Sequence, residues 1–304
     1  MINIVELSGR TKKTLVQLAL EVTKAKPQKL VFPMLWSTKL DGNYCIALKH
    51  QGTIGIYSRT GESYVSMKHI KSELYDVMGD DTLVIFEAYI DNTKHSVISG
   101  HCRDTKEQHT ELTARCHDYI TLTEFINGGT EEYFDRYFAL VDLLHGNPEL
   151  KHCIVVDQVA VHSIEDAMVL TKEVWANGGE GGVLRSIHGL YAGGLGCPVV
   201  GTKRSEDIVK LKQSVTYDLE VIGMNRGKKG KYSETLGTLV CRWKDGKTLP
   251  VSGMTNVQRN LWWNDPSLIV GSIIEVKAMT NSTYESLREA RYKSTRFDKF
   301  EGDF

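Results

Sequence analysis

The chain has 304 residues, 41% of them hydrophobic and 25% charged, with six cysteines and a formal net charge of −1. That length accommodates two domains of ordinary size, and the composition excludes a disordered, fibrous or disulfide-framework protein. Glu6, Arg10, Lys12 and Lys13 interrupt the start before any long apolar run, so a signal peptide or membrane span is not expected; reduced thiols and a cytoplasmic location, the host cytosol if the chain is viral, are. Thr11 to Thr23 place Leu15, Leu18 and Val22 at helical spacing, which predicts a short amphipathic helix. From Tyr44 the pattern turns to short β runs at Tyr44 to Leu48, Thr53 to Tyr57, Thr82 to Ala88, Tyr137 to Leu143 and Ile154 to Val161, with helices near Tyr64 to Met78 and Ile164 to Ala176. This irregular alternation predicts an α+β domain with antiparallel sheets. After Ser214 the reading is all-β: strands at Asp218 to Met224, Leu236 to Arg242, Thr248 to Ser252 and Ser272 to Met279, and one helix at Asn256 to Trp263, as in an oligonucleotide-binding barrel.

Residues suited to phosphate chemistry recur along this scaffold. Lys39-Leu40-Asp41-Gly42 sets an amine two residues before a carboxylate and three before a glycine. A neutral lysine amine can attack phosphorus and form a phosphoramidate labile enough to pass a nucleotide onward. An unperturbed lysine is almost wholly protonated at neutral pH, so such a nucleophile needs desolvation or nearby positive charge. Lys210 and Lys212 alternate on a predicted strand, share one face, and can reach one phosphate together. Ser58-Arg59-Thr60-Gly61, Phe86-Glu87, Tyr137-Phe138-Ala139-Leu140 and Glu180-Gly181-Gly182-Val183 lie between, and Ser286 to Lys299 closes the series. Residues 216–304 carry 14 Lys and Arg against 11 Asp and Glu, so cations concentrate at that end. Arg226, Lys228, Lys229 and Lys231 crowd one predicted loop without obvious acidic partners, a pattern suited to duplex phosphates. His101-Cys102, His109 and Cys116-His117 could gather around a metal, but their spacing matches no standard zinc pattern, and zinc is not expected.

In order and spacing these segments resemble the ATP-dependent DNA ligases, within the covalent nucleotidyltransferases that also include RNA ligases and mRNA capping enzymes. The resemblance begins near residue 30 and runs to the end, and the chain's size suggests a compact viral, bacteriophage or bacterial form. It implies a nucleotidyltransferase (adenylation) domain over residues 1–214, including a short N-terminal helical segment, and an OB-fold domain over 215–304.

The resemblance also implies roles. Lys39 would attack the α-phosphate of ATP and carry AMP, with Lys210 and Lys212 contacting phosphate. Glu180 would bind Mg2+ (or Mn2+), and Asp41 would assist the later steps, also through metal. Glu87 would accept from a ribose hydroxyl, Phe138 would stack on adenine, and Arg59 would reach phosphate or ribose. Arg296 and Asp298 would orient the leaving pyrophosphate. The implied reaction seals 5′-phosphate/3′-hydroxyl nicks in duplex DNA through a DNA-adenylate, in a monomer serving replication, repair or recombination. Two other readings stay open: an RNA ligase or capping-type enzyme, and a noncatalytic DNA-binding relative. One departure stands out: the family usually has arginine two residues after the motif glycine, where this chain has Tyr44.

Overall fold

The computed structural model describes residues 2–11, 15–192, 204–228, 230–279 and 287–304, with Arg288 described through its backbone only. Two compact units divide at Lys212/Gln213. The first contains α1 (Ile4–Ser8), β1 (Leu20–Glu21), β2 (Met34–Thr38), β3 (Asn43–His50), β4 (Thr53–Ser58), β5 (Ser63–Tyr64), α2 (Lys68–Val77), β6 (Thr82–Tyr89), α3 (His95–Arg103), β7 (Thr113–Thr121), α4 (Leu122–Asn127), α5 (Tyr133–His145), β8 (Cys153–Val155), β9 (Val159–Val161), α6 (Ile164–Ala176), β10 (Gly181–Ser186) and β11 (Ile208–Lys212).

Two largely antiparallel sheets result, ordered β1-β11-β10-β2-β9 and β5-β4-β3-β6-β7-β8. On the first, Met34, Trp36, Leu184, Val209 and Leu211 form a buried core with Ala167 of α6. Strand alternation then turns Val183, Arg185, Lys210 and Lys212 to the opposite face. The second sheet is apolar on both faces: Cys45, Ala47, Val84, Phe86 and Ala88 pack with α2, α3 and α5, and Ile46, Leu48, Leu83 and Ile85 pack with Ile4 and Phe125. Burial on both faces explains its continuous apolar runs. The Ser163 side chain caps α6, and Thr121 with Glu124 forms a capping box on α4, each cap contributing about 1 kcal/mol.

Several sequence expectations need correction. No helix covers 11–23: among the described residues of that stretch, Leu20–Glu21 is a strand and Val22 begins a 3-10 turn. Leu15 and Val16 are buried from a bend rather than from a helix. The segment 137–143 is not a strand but the middle of α5; Tyr133, Tyr137, Leu140 and Leu144 bury one helical stripe. Residues 154–161 are two strands in different sheets rather than one. The helix expected from Tyr64 begins only at Lys68.

The second unit contains β12 (Ser214–Arg226), β13 (Leu236–Arg242), β14 (Thr248–Val251), α7 (Asn256–Asn264), β15 (Ile273–Met279) and β16 (Arg288–Thr295), in sheet order β14-β13-β12-β15-β16. The two edges meet: Ser252 N–H donates to Ala290 O (3.0 Å) and Tyr292 N–H to Ser252 O (2.7 Å), closing a barrel. Closure removes the exposed edges an open sheet would carry. Long β12 makes this possible by pairing with β15 through its first half and β13 through its second. Leu219, Val221, Leu239, Val251, Ile274 and Trp262 lie in its core.

Candidate active site

Lys39 follows the last residue of β2, and its backbone N–H donates to Gly181 O (2.8 Å). This contact joins the lysine turn to the head of β10, where Gly181 pairs with Lys212 in the adjacent strand. Glu180 therefore sits between two lysines. Its Oε2 accepts from Lys39 Nζ at 2.6 Å, and its Oε1 meets Lys212 Nζ at 2.6 Å. The Glu180 side chain is only 9% exposed, so the pairs lie where water screens them weakly.

The motif glycines are there for space. A Cβ on Gly181 would fall inside the Leu211 carbonyl, and one on Gly182 would strike Trp36, whose indole donates to Thr171 Oγ1 (3.0 Å). A Cβ on Gly42 would stand 2.7 Å from Ala88 O and 3.2 Å from Glu87 Cβ, so only glycine lets the lysine turn press against β6.

Lys210, two pairs back along β11, lies 3.6 Å from Glu21 of β1. Burial first, then the neighbouring Lys212, lowers its pKa. Glu87 is opposite Tyr44 in the β3/β6 ladder. Burial raises its pKa to about 7, opposed by Lys39 and reinforced by Glu180. Arg59 is exposed in the turn after β4, where Ser58 Oγ accepts from the N–H groups of Thr60 (3.2 Å) and Glu62 (3.0 Å) and fixes the loop. It too acts electrostatically on Glu87. Asp41 lies in the lysine turn; burial first, then Asp91, and least of all Asp41 raise the Tyr89 phenol.

The structure thus gathers Lys39, Glu87, Glu180, Lys210 and Lys212 at one end of the two sheets, with Arg59 in electrostatic range. Phe138 is placed differently. It is 47% exposed on α5, packed against Phe134 at 4.6 Å between ring centroids, because its strand-like sequence folds as helix. An aromatic that sequence reasoning missed stands nearer: His117, whose ring lies 6.0 Å from that of Tyr44 and whose Nδ1 faces Arg185 Nη2 at 2.9 Å. The β6/β7 register slips between Ile85 and Phe86, leaving His117 without an opposite residue. Such bulges re-aim side chains beside functional sites. Burial, with Arg185 second, holds His117 well below the usual histidine range, so its ring is neutral. Arg185 was also missed, although its two-residue alternation with Val183 was legible.

The expected metal residues, Glu180 and Asp41, form no grouping of three metal-type donors among the described residues. Glu180 and Asp41 are nonetheless hard oxygen donors, the type that Mg2+ takes one or two of beside substrate phosphates and water. Arg296 and Asp298, in the second unit, form a two-pronged pair (2.9 and 2.7 Å), and Arg296 Nη1 also donates to Asp218 at 2.9 Å. Lys299 joins the same Asp218 carboxylate. In the basic loop, Arg226 does have an acidic partner, Glu234, contrary to expectation. Lys228 is exposed, Lys231 sits 4.8 Å over the Tyr232 ring, and Lys229 lies outside the described residues. No helix among the described residues is long and apolar enough to cross a membrane.

No family model matches the sequence. The DNA ligase of Enterobacteria phage T4 is 22% identical over 244 residues, covering 65% of this chain and 48% of that one. The chain therefore spans about half the length of the curated relative it matches. Among solved structures, one described as Pmar-Lig_PreS3 matches with a TM-score of 0.76 at 21% identity, over 93% of this chain and 67% of that one. A structure from work on DNA binding with a minimal scaffold in Lig E DNA ligases matches at 0.71 and 18% identity, over 92% and 98% of the two chains. The ATP-dependent DNA ligase of bacteriophage T7, complexed with ATP, matches at 0.55 and 16% identity, over 93% and 99%. The chain shares the fold of these DNA ligases, a mixed α+β unit followed by an OB-type barrel.

Proposed function

We propose that the chain is an ATP-dependent DNA ligase that seals nicks in duplex DNA through a lysyl-AMP intermediate, acting as a monomer. The observation that carries this reading is the arrangement Lys39–Glu180–Lys212, with Lys210 on the same face as Lys212. A nucleophilic lysine must shed its proton before it attacks, and Glu180 Oε2, 2.6 Å from Nζ, is within proton-transfer reach. Lys39 Nζ then forms a P–N bond at the α-phosphorus as the P–O bond to pyrophosphate breaks. Lys210 and Lys212 offer fixed positive charge where the phosphoryl oxygens gather negative charge. In the second step the nick's 5′-phosphate oxygen attacks the same phosphorus and frees Lys39; in the third, the 3′-hydroxyl attacks the 5′-phosphate and AMP leaves.

The nucleotide's sugar is assigned to Glu87, with Arg59 for phosphate or ribose. For the base, the placement of His117 beside Tyr44 and Arg185 favours His117 over Phe138, since a neutral ring face suits stacking. Mg2+, when bound by Glu180 with Asp41, supplies further charge neutralisation on the phosphates. Arg296 and Asp298 are assigned to pyrophosphate in the first step, and Lys228, Lys229 and Lys231 to duplex phosphates, with Arg226 weakened as a DNA contact by Glu234.

The test is to give the purified chain ATP, Mg2+ and a duplex with one 5′-phosphorylated nick, in parallel with nicked RNA. Sealing of the DNA nick with AMP released is the expected result. Sealing of RNA alone would move the protein to the RNA ligases, and no adduct and no sealing would make it a noncatalytic relative.

A further inference from the structure

Away from the proposed nucleotide site, the last turn of α3 and the loop preceding β7 bring together side chains with no part in ligation. His101 Nδ1 lies 2.9 Å from Glu111 Oε1, and His109 Nδ1 lies 3.1 Å from the same oxygen. These three donors all fall within 4.8 Å of one another. Behind them, His109 Nε2 meets Asp104 Oδ2 at 3.1 Å. The two imidazoles stack, with centroids 4.0 Å apart. Of the residues that sequence spacing offered to a metal, Cys102 is instead buried in the apolar core and Cys116 and His117 belong to β7.

We propose that His101, His109 and Glu111 form a binding site for a late first-row divalent cation such as Zn2+, with Asp104 orienting His109 from behind. The donor set decides the class of ion: two imidazole nitrogens and one carboxylate suit zinc and its neighbours, whereas Mg2+ prefers oxygen donors. The two contacts that Glu111 already makes are close to the roughly 3.3 Å separating donors that stand ~2.0–2.1 Å from a tetrahedral ion; because a ligating imidazole binds in its ring plane, one of the two near-parallel rings turns out of the stack to admit the ion. His101 Nδ1 adds independent support: it is shielded from solvent and lacks an aligned hydrogen-bond partner despite its closeness to Glu111. A shielded nitrogen without an aligned partner is costly unless something else takes its lone pair or proton. The Asp104–His109 contact is the carboxylate–histidine arrangement that fixes a ligating ring. Three protein donors with Glu111 44% exposed leave a fourth position open to water. The ion would tie the end of α3 to the loop at His109, whose N–H donates to Ser66 O at 3.0 Å.

The experiment uses the whole chain, stripped with chelator and titrated calorimetrically with ZnCl2, and separately with CoCl2 while the visible spectrum is recorded. One equivalent of Zn2+ should bind and raise Tm, and Co2+ should give the intense bands of four- or five-coordination. His101→Ala, His109→Ala and Glu111→Gln should each abolish that equivalent, and Asp104→Asn should weaken it by about 10- to 100-fold. His162→Ala, an exposed histidine elsewhere, should change nothing. Unaltered binding in the three ligand variants overturns the site. So does a parent that takes up no saturable equivalent or gives only the weak six-coordinate cobalt spectrum, a result that does not depend on whether the variants fold.

Discussion

Lys39 and Lys212, far apart in sequence, are held by opposite oxygens of one carboxylate, Glu180, each at 2.6 Å. Substitutions at Glu180 and Lys212 should therefore not add. Glu180→Gln releases both ammonium groups, and Lys212→Met leaves Glu180 to Lys39 alone. Each should slow covalent uptake of AMP, and the double variant should deviate from the sum of the two effects by about 0.5–3 kcal/mol in activation free energy. Single-turnover labelling of the four proteins measures this. Additivity within ~0.5 kcal/mol would show that the carboxylate does not couple the two lysines during the reaction.

Glu87 makes a pH-dependent prediction. Burial raises its pKa to about 7, against about 4.3 for an unperturbed glutamate. Between those values the native state keeps a proton that the unfolded state has released, so this residue costs stability as pH rises, with the full penalty above the native value. Glu87→Gln should match the parent near pH 4 and exceed it by about 3–4 kcal/mol near pH 8. Urea unfolding of both proteins across that range reads the difference directly. A difference that does not change with pH would mean that Glu87 titrates normally in the folded protein.

How much of this was legible in the sequence differs by residue. Lys39, Glu180, Lys210 and Lys212 were, because the chemistry fixes residue types at short spacings and the folded chain joins those segments through strand pairing. β7 was missed because its inward position Asp118 is charged; the buried ion pair to Arg136 of α5 (2.9 Å) that makes this tolerable joins two distant segments. His117 was hidden for a related reason, since its exposure to the site depends on a register slip in that strand. Tyr137-Phe138-Ala139-Leu140-Val141 reads locally as β, and only the longer stripe from Tyr133 to Leu144 discloses the helix. In the barrel, β13 matches its expected span because Leu239 and Cys241 alternate inward and turns bound the strand on both sides.

Arg296→Ala should slow formation of the adenylylated protein far more than sealing of a pre-adenylylated nick, because pyrophosphate leaves only in the first step. Asp298→Ala removes one of the two carboxylates that hold the guanidinium and should act in the same direction. Rate constants for the two half-reactions, measured separately, decide the matter. Equal losses in both would assign the pair to the architecture of the second unit through Asp218.

Replacing Lys228 and Lys231 with alanine should weaken binding to nicked duplex DNA and lower the slope of log K against log salt by up to about 2, at ~0.9 per phosphate contact. Neither side chain belongs to a buried cluster, so labelling by ATP should survive. A slope unchanged from the parent would show that the loop merely solvates the barrel.

In the proposed reaction Lys39 becomes the carrier of AMP. Intact-mass and peptide-mapping spectrometry of the folded chain after incubation with ATP and Mg2+ tests it most directly, alongside Lys39→Arg, which retains a cation for Glu180 but cannot deprotonate to become a nucleophile. The expected result is one AMP per chain, located on Lys39 and absent from the arginine variant. AMP on any other residue, AMP retained by Lys39→Arg, or no adduct on the folded parent would contradict it.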